Sequence, residues 1–471
     1  MLGRNPSEPT LFQMVDMEGL IPADHKLRKV DAVLDLGFVA EVVSECYAEG
    51  RGRPSVDPEL ALRMMLLGVL YDLSDRELCQ EIQMHAGMRW FCRLNFHDPV
   101  PDHSTLSRLR NERWAQSGLF DQLMDEVIRQ CCRAGLVSGR HLSVDGTEVR
   151  ADASVKSLKR RGPQPPKDRP PGVGPDEGGG EPKPAGDWEG QGEVLRNDTH
   201  FSTTDPDARL YRKGRNRDAR LSYLAHDLLD TKSRVILRRK ATQATGRAEL
   251  DAALLMVDEV LDGREALELP NRPEILTGDT AYGETGLITA LLDREIIPHI
   301  PLRAREAVEG RPTWKRRTFN LDERRARERK VKEVEARNRV RGVTKTQGYQ
   351  VSRKLRIRSE HTFAEGKTQH GLDRARRRGV ERVQDQATLT AVVQNLKRLV
   401  AFLGRKPRAA AAQALLGGSQ PSVFCFSAHS AALWGHIRAL EIFCPPNPEG
   451  RAGTNYLQVT GQGPDWVWGP A

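Results

Sequence analysis

The chain has 471 residues, a net charge of +9, 38% hydrophobic and 29% charged residues. That size holds two or three domains and a real core. No run approaches the roughly 20 apolar residues a membrane span needs, and seven scattered cysteines, an odd number without a C-x2-C pair, suggest neither a zinc site nor a disulfide framework. The N-terminus lacks the apolar core of a signal peptide, so a reduced, cytoplasmic setting is expected. The charge is local. Residues 311–380 hold 23 Lys or Arg against 8 Asp or Glu, a net of +15, which leaves the rest of the chain at −6. A solvated charged face would mix the signs more evenly. Concentration of this kind is the footprint of a polyanion partner.

In chain order, residues 10–50 read as a short helical lead-in. Pro58 suits the first turn of a helix that runs apolar from Glu59 to Tyr71. Ser74 with Glu77 three residues on makes a capping box, so a helix is expected to about His85. A Pro-rich turn, 98–102, precedes a further helix capped by Asp102 or Ser104 and carrying Arg108, Arg110 and Arg113. This string of short helices is consistent either with a helix-turn-helix-like DNA reader or with a small helical bundle. If it reads DNA, the three arginines are phosphate contacts, because nothing fixes a groove geometry.

A helix over about 117–134 ends at Gly135, and a strand leads to Asp145. Residues 156–198 are dense in Pro and Gly and are expected to be a disordered insertion. Strands are then expected at 221–227 and 234–238, a helix at 246–262, a strand ending at Asp279, a helix at 284–293 and a fifth strand at 296–302. Residues 303–352 read as a basic insertion with a single tryptophan, Trp314. That residue either stacks on a base or anchors a small core. A last amphipathic helix is expected over 385–403, and the composition changes beyond 405.

Three carboxylates stand out. Asp145 and Asp279 each close an apolar strand-like run, and Glu360 lies in a basic helical stretch. Three separated acids brought together suit a two-metal phosphoryl-transfer site, since hard cations take oxygen ligands and clamp the attacking and leaving oxygens. Asp145-Gly146 could also be a plain turn. Glu365 competes with Glu360 but points to another helix face. Arg356 and Lys367 share a face with Glu360, either to hold a phosphate or, for Arg356, to form an i,i+4 ion pair. Arg374, Arg376, Arg377 and Arg378 extend the basic surface.

At these residues the chain resembles the DDE transposases of bacterial insertion sequences. Arg356, Glu360 and Lys367 match that family's Y-x2-R-x3-E-x6-K signature, while Arg353 stands at the tyrosine position and Tyr349 lies one turn earlier. The segments Gly52-Arg53-Pro54, Asp57-Pro58-Glu59, 74–78 and 101–106 extend the resemblance over roughly 10–405. It implies an α/β multi-domain protein. An N-terminal all-α helix-turn-helix-like domain (1–135) would precede an RNase H-like mixed α/β catalytic core (136–405) and a tail (406–471). It also implies cleavage at element ends and strand transfer, with Asp145, Asp279 and Glu360 holding two Mg2+ ions that Mn2+ can replace. The expected DNA contacts are Arg356, Lys367, Arg374, Arg376, Arg377, Arg378, Trp314, Arg108 and Arg110. The expected partners are terminal inverted repeats, target DNA and a second or further copies of the chain, in a nucleoid-associated, non-membrane setting. The rivals are a metal-dependent nuclease of the same core that does not join strands and a catalytically decayed DNA-binding regulator. An RNA-binding role is disfavoured by the lack of aromatic-rich strand motifs.

Overall fold

The computed structural model describes residues 16–47, 55–161, 195–212, 218–303 and 321–416. Gly52-Arg53-Pro54, Trp314, most of the Pro/Gly-rich segment and the tail beyond 416 lie outside the described residues.

Eight helices come first: α1 Met17–Leu20, α2 Lys26–Asp31, α3 Val39–Val43, α4 Pro58–Leu70, α5 Asp75–Met84, α6 Ala86–Phe91, α7 His103–Arg108 and α8 Leu119–Arg133. Their starts follow from local chemistry. Asp57 caps α4 with Pro58 at its first position, both halves of the Ser74/Glu77 capping box form on α5, and Asp102 caps α7. A π-turn over Leu109–Arg113 continues α7. Gly135, at φ +76°, ends the α8 segment in the left-handed conformation that a side chain disfavours. The apolar faces of these helices join one core with residues of the sheet, among them Leu62, Leu67, Trp114, Leu123, Val144 and Leu276.

The strands are β1 His141–Arg150, β2 Leu158–Arg160, β3 His200–Ser202, β4 Arg209–Tyr211, β5 Arg220–Asp230, β6 Ile236–Gln243, β7 Ile275–Thr277 and β8 Ile297–His299. β2 and β3 form a separate small pair. In the main sheet β6, β5, β1, β7 and β8 lie side by side in that order, with β4 beside the start of β5. The first three core strands are antiparallel, and β7 and β8 run parallel to β1. Numbered along the chain, the order is 3-2-1-4-5, the RNase H-like arrangement.

Between and after the strands come α9 Ala248–Asp262, α10 Thr285–Asp293, α11 Leu321–Thr344, α12 Gln347–Gln369 and α13 Val380–Leu416. α12 and α13 cover the face of the sheet that carries Val149, Tyr223 and Ala225, through Phe363, Val383 and Ala387. The start of α9 covers the other face, with Ala248 against Leu224. In α11, Ala336 and Val340 rest on Ile288 of α10, so the described end of the basic segment 303–352 is anchored on the core.

Several bounds differ from expectation, β6 running to Gln243 and α13 to Leu416 among them, and β2 lies inside the segment 156–198 expected to be disordered; two of the differences have a clear physical cause. β1 does not end at Asp145. It runs five residues further, because Gly146 to Arg150 keep pairing with β5. α13 begins at Val380 rather than 385, because Asp205 and Asp207 accept from the Gly379 and Val380 amides and supply its cap from far away in sequence.

Candidate active site

The two aspartates are set by strand register. β1 and β7 are parallel with Ser143 opposite Thr277, so Asp145 and Asp279, each two residues further on, reach the same level at adjacent strands. Asp145 stays within its strand. Asp279 leaves β7 and caps a short 3-10 turn, Thr280–Tyr282, accepting from the Ala281 amide at 2.8 Å.

Asp145 is half-buried. Its Oδ1 accepts from the Gly146 amide at 2.9 Å and its Oδ2 from the Ser359 hydroxyl of α12 at 2.8 Å. Burial raises its pKa above the ordinary carboxylate value. The Ser359 and Gly146 bonds oppose this, the charge of Asp279 adds to it, and the Arg356 charge opposes it. Among the described residues no ion-pair partner contacts either aspartate. Two acids level at adjacent strands, without a cation in contact, suit a hard divalent ion.

α12 is clamped over the site by one side. His299 Nδ1 and the Ser352 hydroxyl are 2.6 Å apart, Ser359 meets Asp145, and Lys367 Nζ donates to the Glu148 carbonyl at 2.6 Å. A cleft of about 310 Å3 opens beside Asp279, lined by Thr280, His299, Pro301, Tyr349, Arg353 and Arg356. Tyr349 and Arg353, the two residues around the departure from the family signature, therefore share one wall, with the Tyr349 ring 6.0 Å from His299. Burial holds His299 neutral, with its pKa lowered to about 4, and nearby His141 adds to the effect.

Glu360 is not brought to the aspartates. Its side chain is 59% exposed and its nearest cation is Arg356 at 3.8 Å. Ser359, the preceding residue, takes the inward position, and successive residues diverge by about 100° around a helix. Among the described residues no group of three or more His, Cys, Asp or Glu is close enough to hold a metal ion. Glu365 is bound elsewhere: Lys397 at 2.6 Å, Arg398 at 3.1 Å and Gln394 at 3.2 Å enclose it. Burial would raise its pKa, but the His370 bond and the Arg398 and Lys397 charges overcome this and hold it well below the usual range.

The arginines differ in what they can offer. Arg377 is enclosed, 13% exposed, between Asn111 at 3.0 Å and Asp385 at 3.3 Å, and Arg110 is 12% exposed and paired with Asp75 at 2.5 Å. Contrary to expectation, these two serve as internal ties rather than as a DNA-facing surface. Arg376 binds Asp72 and the Leu73 carbonyl, so this loop staples the N-terminal helices to the core. Arg374 and Arg378 pair with Asp152 at 2.9 and 3.3 Å yet stay exposed, which gives Asp152 a bridging role that its sequence context did not indicate. Arg108 and Arg113 are exposed and line a groove of about 760 Å3 with Ser55 and Thr105.

A 3-2-1-4-5 sheet with aspartates level on its first and fourth core strands is the scaffold of an RNase H-like DNA-processing enzyme. Residues 138–396 match the family described as "Transposase DDE domain", and residues 15–112 match "Transposase domain (DUF772)". The chain belongs to the DDE transposase family. It is a transposase, and enzymes of this family use divalent metal ions. The chain also has a likeness to solved structures titled "Mos1 transposase paired-end complex with left transposon end" and "Crystal structure of the Mos1 mariner paired end complex with Mn". Each is 12% identical with a TM-score of 0.17, covering 66% and 67% of this chain and 82% of those chains. A TM-score this low carries no weight, and the assignment rests on the family match and the strand order.

Proposed function

We propose that this transposase cleaves DNA at the ends of an insertion sequence and joins the freed 3′-hydroxyl to target DNA, with Asp145, Asp279 and Glu360 as its three catalytic acids. The observation that carries the reading is the level placement of Asp145 and Asp279 by the β1–β7 register. Glu360 is taken as the third acid because Arg356, Glu360 and Lys367 keep the R-x3-E-x6-K register of the family signature. All three donors are carboxylate oxygens, the set that Mg2+ or Mn2+ accepts. When bound, two such ions activate the attacking oxygen and stabilise the leaving one.

The protein's own groups do the rest. Arg356 and Arg353 line the cleft beside Asp279 and would hold a phosphodiester there by charge-assisted bonds. Lys367 fixes α12 against β1. Arg374 and Arg378, together with Arg108 and Arg113 in their groove, would supply sequence-independent affinity that falls steeply with salt. Terminal inverted repeats and target DNA are the substrates in this reading, with two or more copies of the chain working on paired ends in the bacterial cytoplasm, at the nucleoid.

The test uses purified protein, Mg2+ or Mn2+, and duplexes carrying the terminal sequences that flank its gene. Cleavage at the boundary, abolished by Asp145→Asn, Asp279→Asn and Glu360→Gln, is the expected result, and joined products separate a transposase from a nuclease. Binding without cleavage would make this copy a decayed regulator. Cleavage that survives Glu360→Gln but is lost in Glu365→Gln protein that stays folded by circular dichroism would reassign the third acid.

A further inference from the structure

The aspartates are flanked on both faces of the sheet. α12, carrying Glu360, covers the face of Asp145, Val149 and Ala225. The opposite face at this level is occupied by Gly146, and the first turn of α9 reaches it through Ala248 on Leu224. Glu249 is the next residue, half-buried. Among the described residues it has no ion-pair or hydrogen-bond partner.

The α9 start is tied to the turn that follows Asp279. Arg247 lies 3.7 Å from Glu284, Arg303 bonds Glu284 at 3.0 Å, and Arg303 also donates to the Ala281 carbonyl. Arg303 is the cation whose charge reaches Glu249, and it is already engaged. At the end of the turn, Tyr282 is 1% exposed and its hydroxyl has no hydrogen-bond partner among the described residues. A methyl group built on Gly146 would sit 3.4 Å from that hydroxyl and 3.1 Å from His226 Nδ1, which is likewise buried and unpartnered. Buried polar groups normally have partners, so two without one that converge on Gly146, the residue after Asp145, point to a ligand of the occupied site.

We propose that Glu249 is a further acidic residue of the ion site, acting with the Tyr282 hydroxyl from the α9 face to hold water on the divalent cation that Asp145 and Asp279 bind. The charges of both aspartates act on Glu249, and burial, the largest cause, raises its pKa in the same direction. Mg2+ and Mn2+ sites of few carboxylates keep bound water, and that water needs acceptors. The carboxylate of Glu249 is one, and the Tyr282 hydroxyl both donates and accepts. His226 fits as the fixed wall: its Nε2 lies 2.8 Å from the Thr242 hydroxyl, and burial keeps the ring neutral.

This inference rests on the assignment of Asp145 and Asp279 as ion-binding acids, and its test separates the two. Mn2+ is titrated into full-length protein without DNA, and the free ion is read by electron paramagnetic resonance. Outer-sphere partners typically change metal affinity about 10- to 100-fold. Glu249→Gln is therefore expected to weaken Mn2+ binding about tenfold or more, Tyr282→Phe several-fold, and Glu249→Asp to recover most of the loss. Far-UV circular dichroism checks the fold, and Tyr282→Phe decides if Glu249→Gln does not fold. Unchanged Mn2+ affinity in Glu249→Gln and Tyr282→Phe, with Asp145→Asn and Asp279→Asn weakened, overturns the inference and leaves the aspartates' role standing. Unchanged affinity in all four overturns the ion site itself.

Discussion

The Arg239–Asp227 pair is the most demanding electrostatic feature next to the active site. Asp227 sits directly opposite Asp145 in the β1–β5 register, and both residues of the pair are 0% exposed. The guanidinium grips both carboxylate oxygens, at 2.5 and 2.6 Å, and donates to Gln394 of α13 at 3.1 Å. Arg239→Met keeps the volume roughly and removes the charge. It leaves Asp227 buried and unpaired, which costs about 3–5 kcal/mol, a large part of the roughly 5–15 kcal/mol that holds a domain together. Replacing both partners, Asp227→Leu with Arg239→Met, removes the two desolvation costs together. What then remains is the unpartnered Gln394 oxygen, about 1–3 kcal/mol. Because Gln394 loses that bond in both variants, urea unfolding followed by circular dichroism should show the double variant more stable than Arg239→Met alone by about 3–5 kcal/mol. A double variant as unstable as the single one would refute the account, because the loss would then come from packing and not from a stranded charge.

Ser359→Ala removes the hydroxyl that favours the Asp145 carboxylate. Burial then acts with less opposition, the Asp145 pKa rises further, and the acid limb of the cleavage pH profile should move to higher pH; an unmoved limb would show that Ser359 does not tune the acid. Gly283→Ala would place a methyl 2.0 Å from the Pro301 carbonyl and 3.0 Å from the Arg303 amide, both backbone, so the loops bearing Asp279 and Arg303 must part. Overpacking of this kind costs about 1–3 kcal/mol or more; thermal unfolding and cleavage should both suffer, and a variant normal in both would contradict the packing. Glu365→Gln should cost about 3–5 kcal/mol at pH 7 by stranding Lys397 and Arg398, each 9% exposed. Because the folded pKa of Glu365 is depressed, its contribution is present above the unfolded carboxyl pKa and fades as pH falls through the folded value. Urea midpoints of the two proteins should therefore converge in acid, and a gap independent of pH would argue against the charge network.

Much of this was legible because it is local. Pro58, the Ser74/Glu77 box and Asp102 announce helix starts through bonds within three residues. The apolar runs before Asp145 and Asp279 announce buried strands. What the sequence hid is set by distant partners. β2, β3 and β4 are three residues each, too short for any period to emerge. The cap of α13 comes from Asp205 and Asp207. Arg377 reads as one more cation in a basic run, and only the fold shows Asn111 and Asp385 around it. Glu249 reads as an ordinary acid in a helix's first turn, where the macrodipole favours one anyway. The tie of its helix start to the turn after Asp279, through Arg247 and Glu284, depends on α9 crossing back over β5.

The same distinction bears on the three acids proposed as catalytic. Asp145 lies within β1 and Asp279 two residues past the last β1–β7 pair, so main-chain bonds between the strands set their levels. Glu360 is borne by a helix, and its direction depends on how α12 is rotated over β1. That rotation is held by contacts from one side: Ser352 to His299, Ser359 to Asp145 and Lys367 to the Glu148 carbonyl. Ser352 and Ser359 are seven residues apart, two turns, so they lie on one stripe, and Glu360 stands about 100° off it. In the proposed site the two acids on the sheet are the rigid part, and a rotation of α12 would bring in the third. An ion held by Asp145 would compete with the Ser359 hydroxyl, and loss of that bond would remove one of the three contacts that set the rotation of α12.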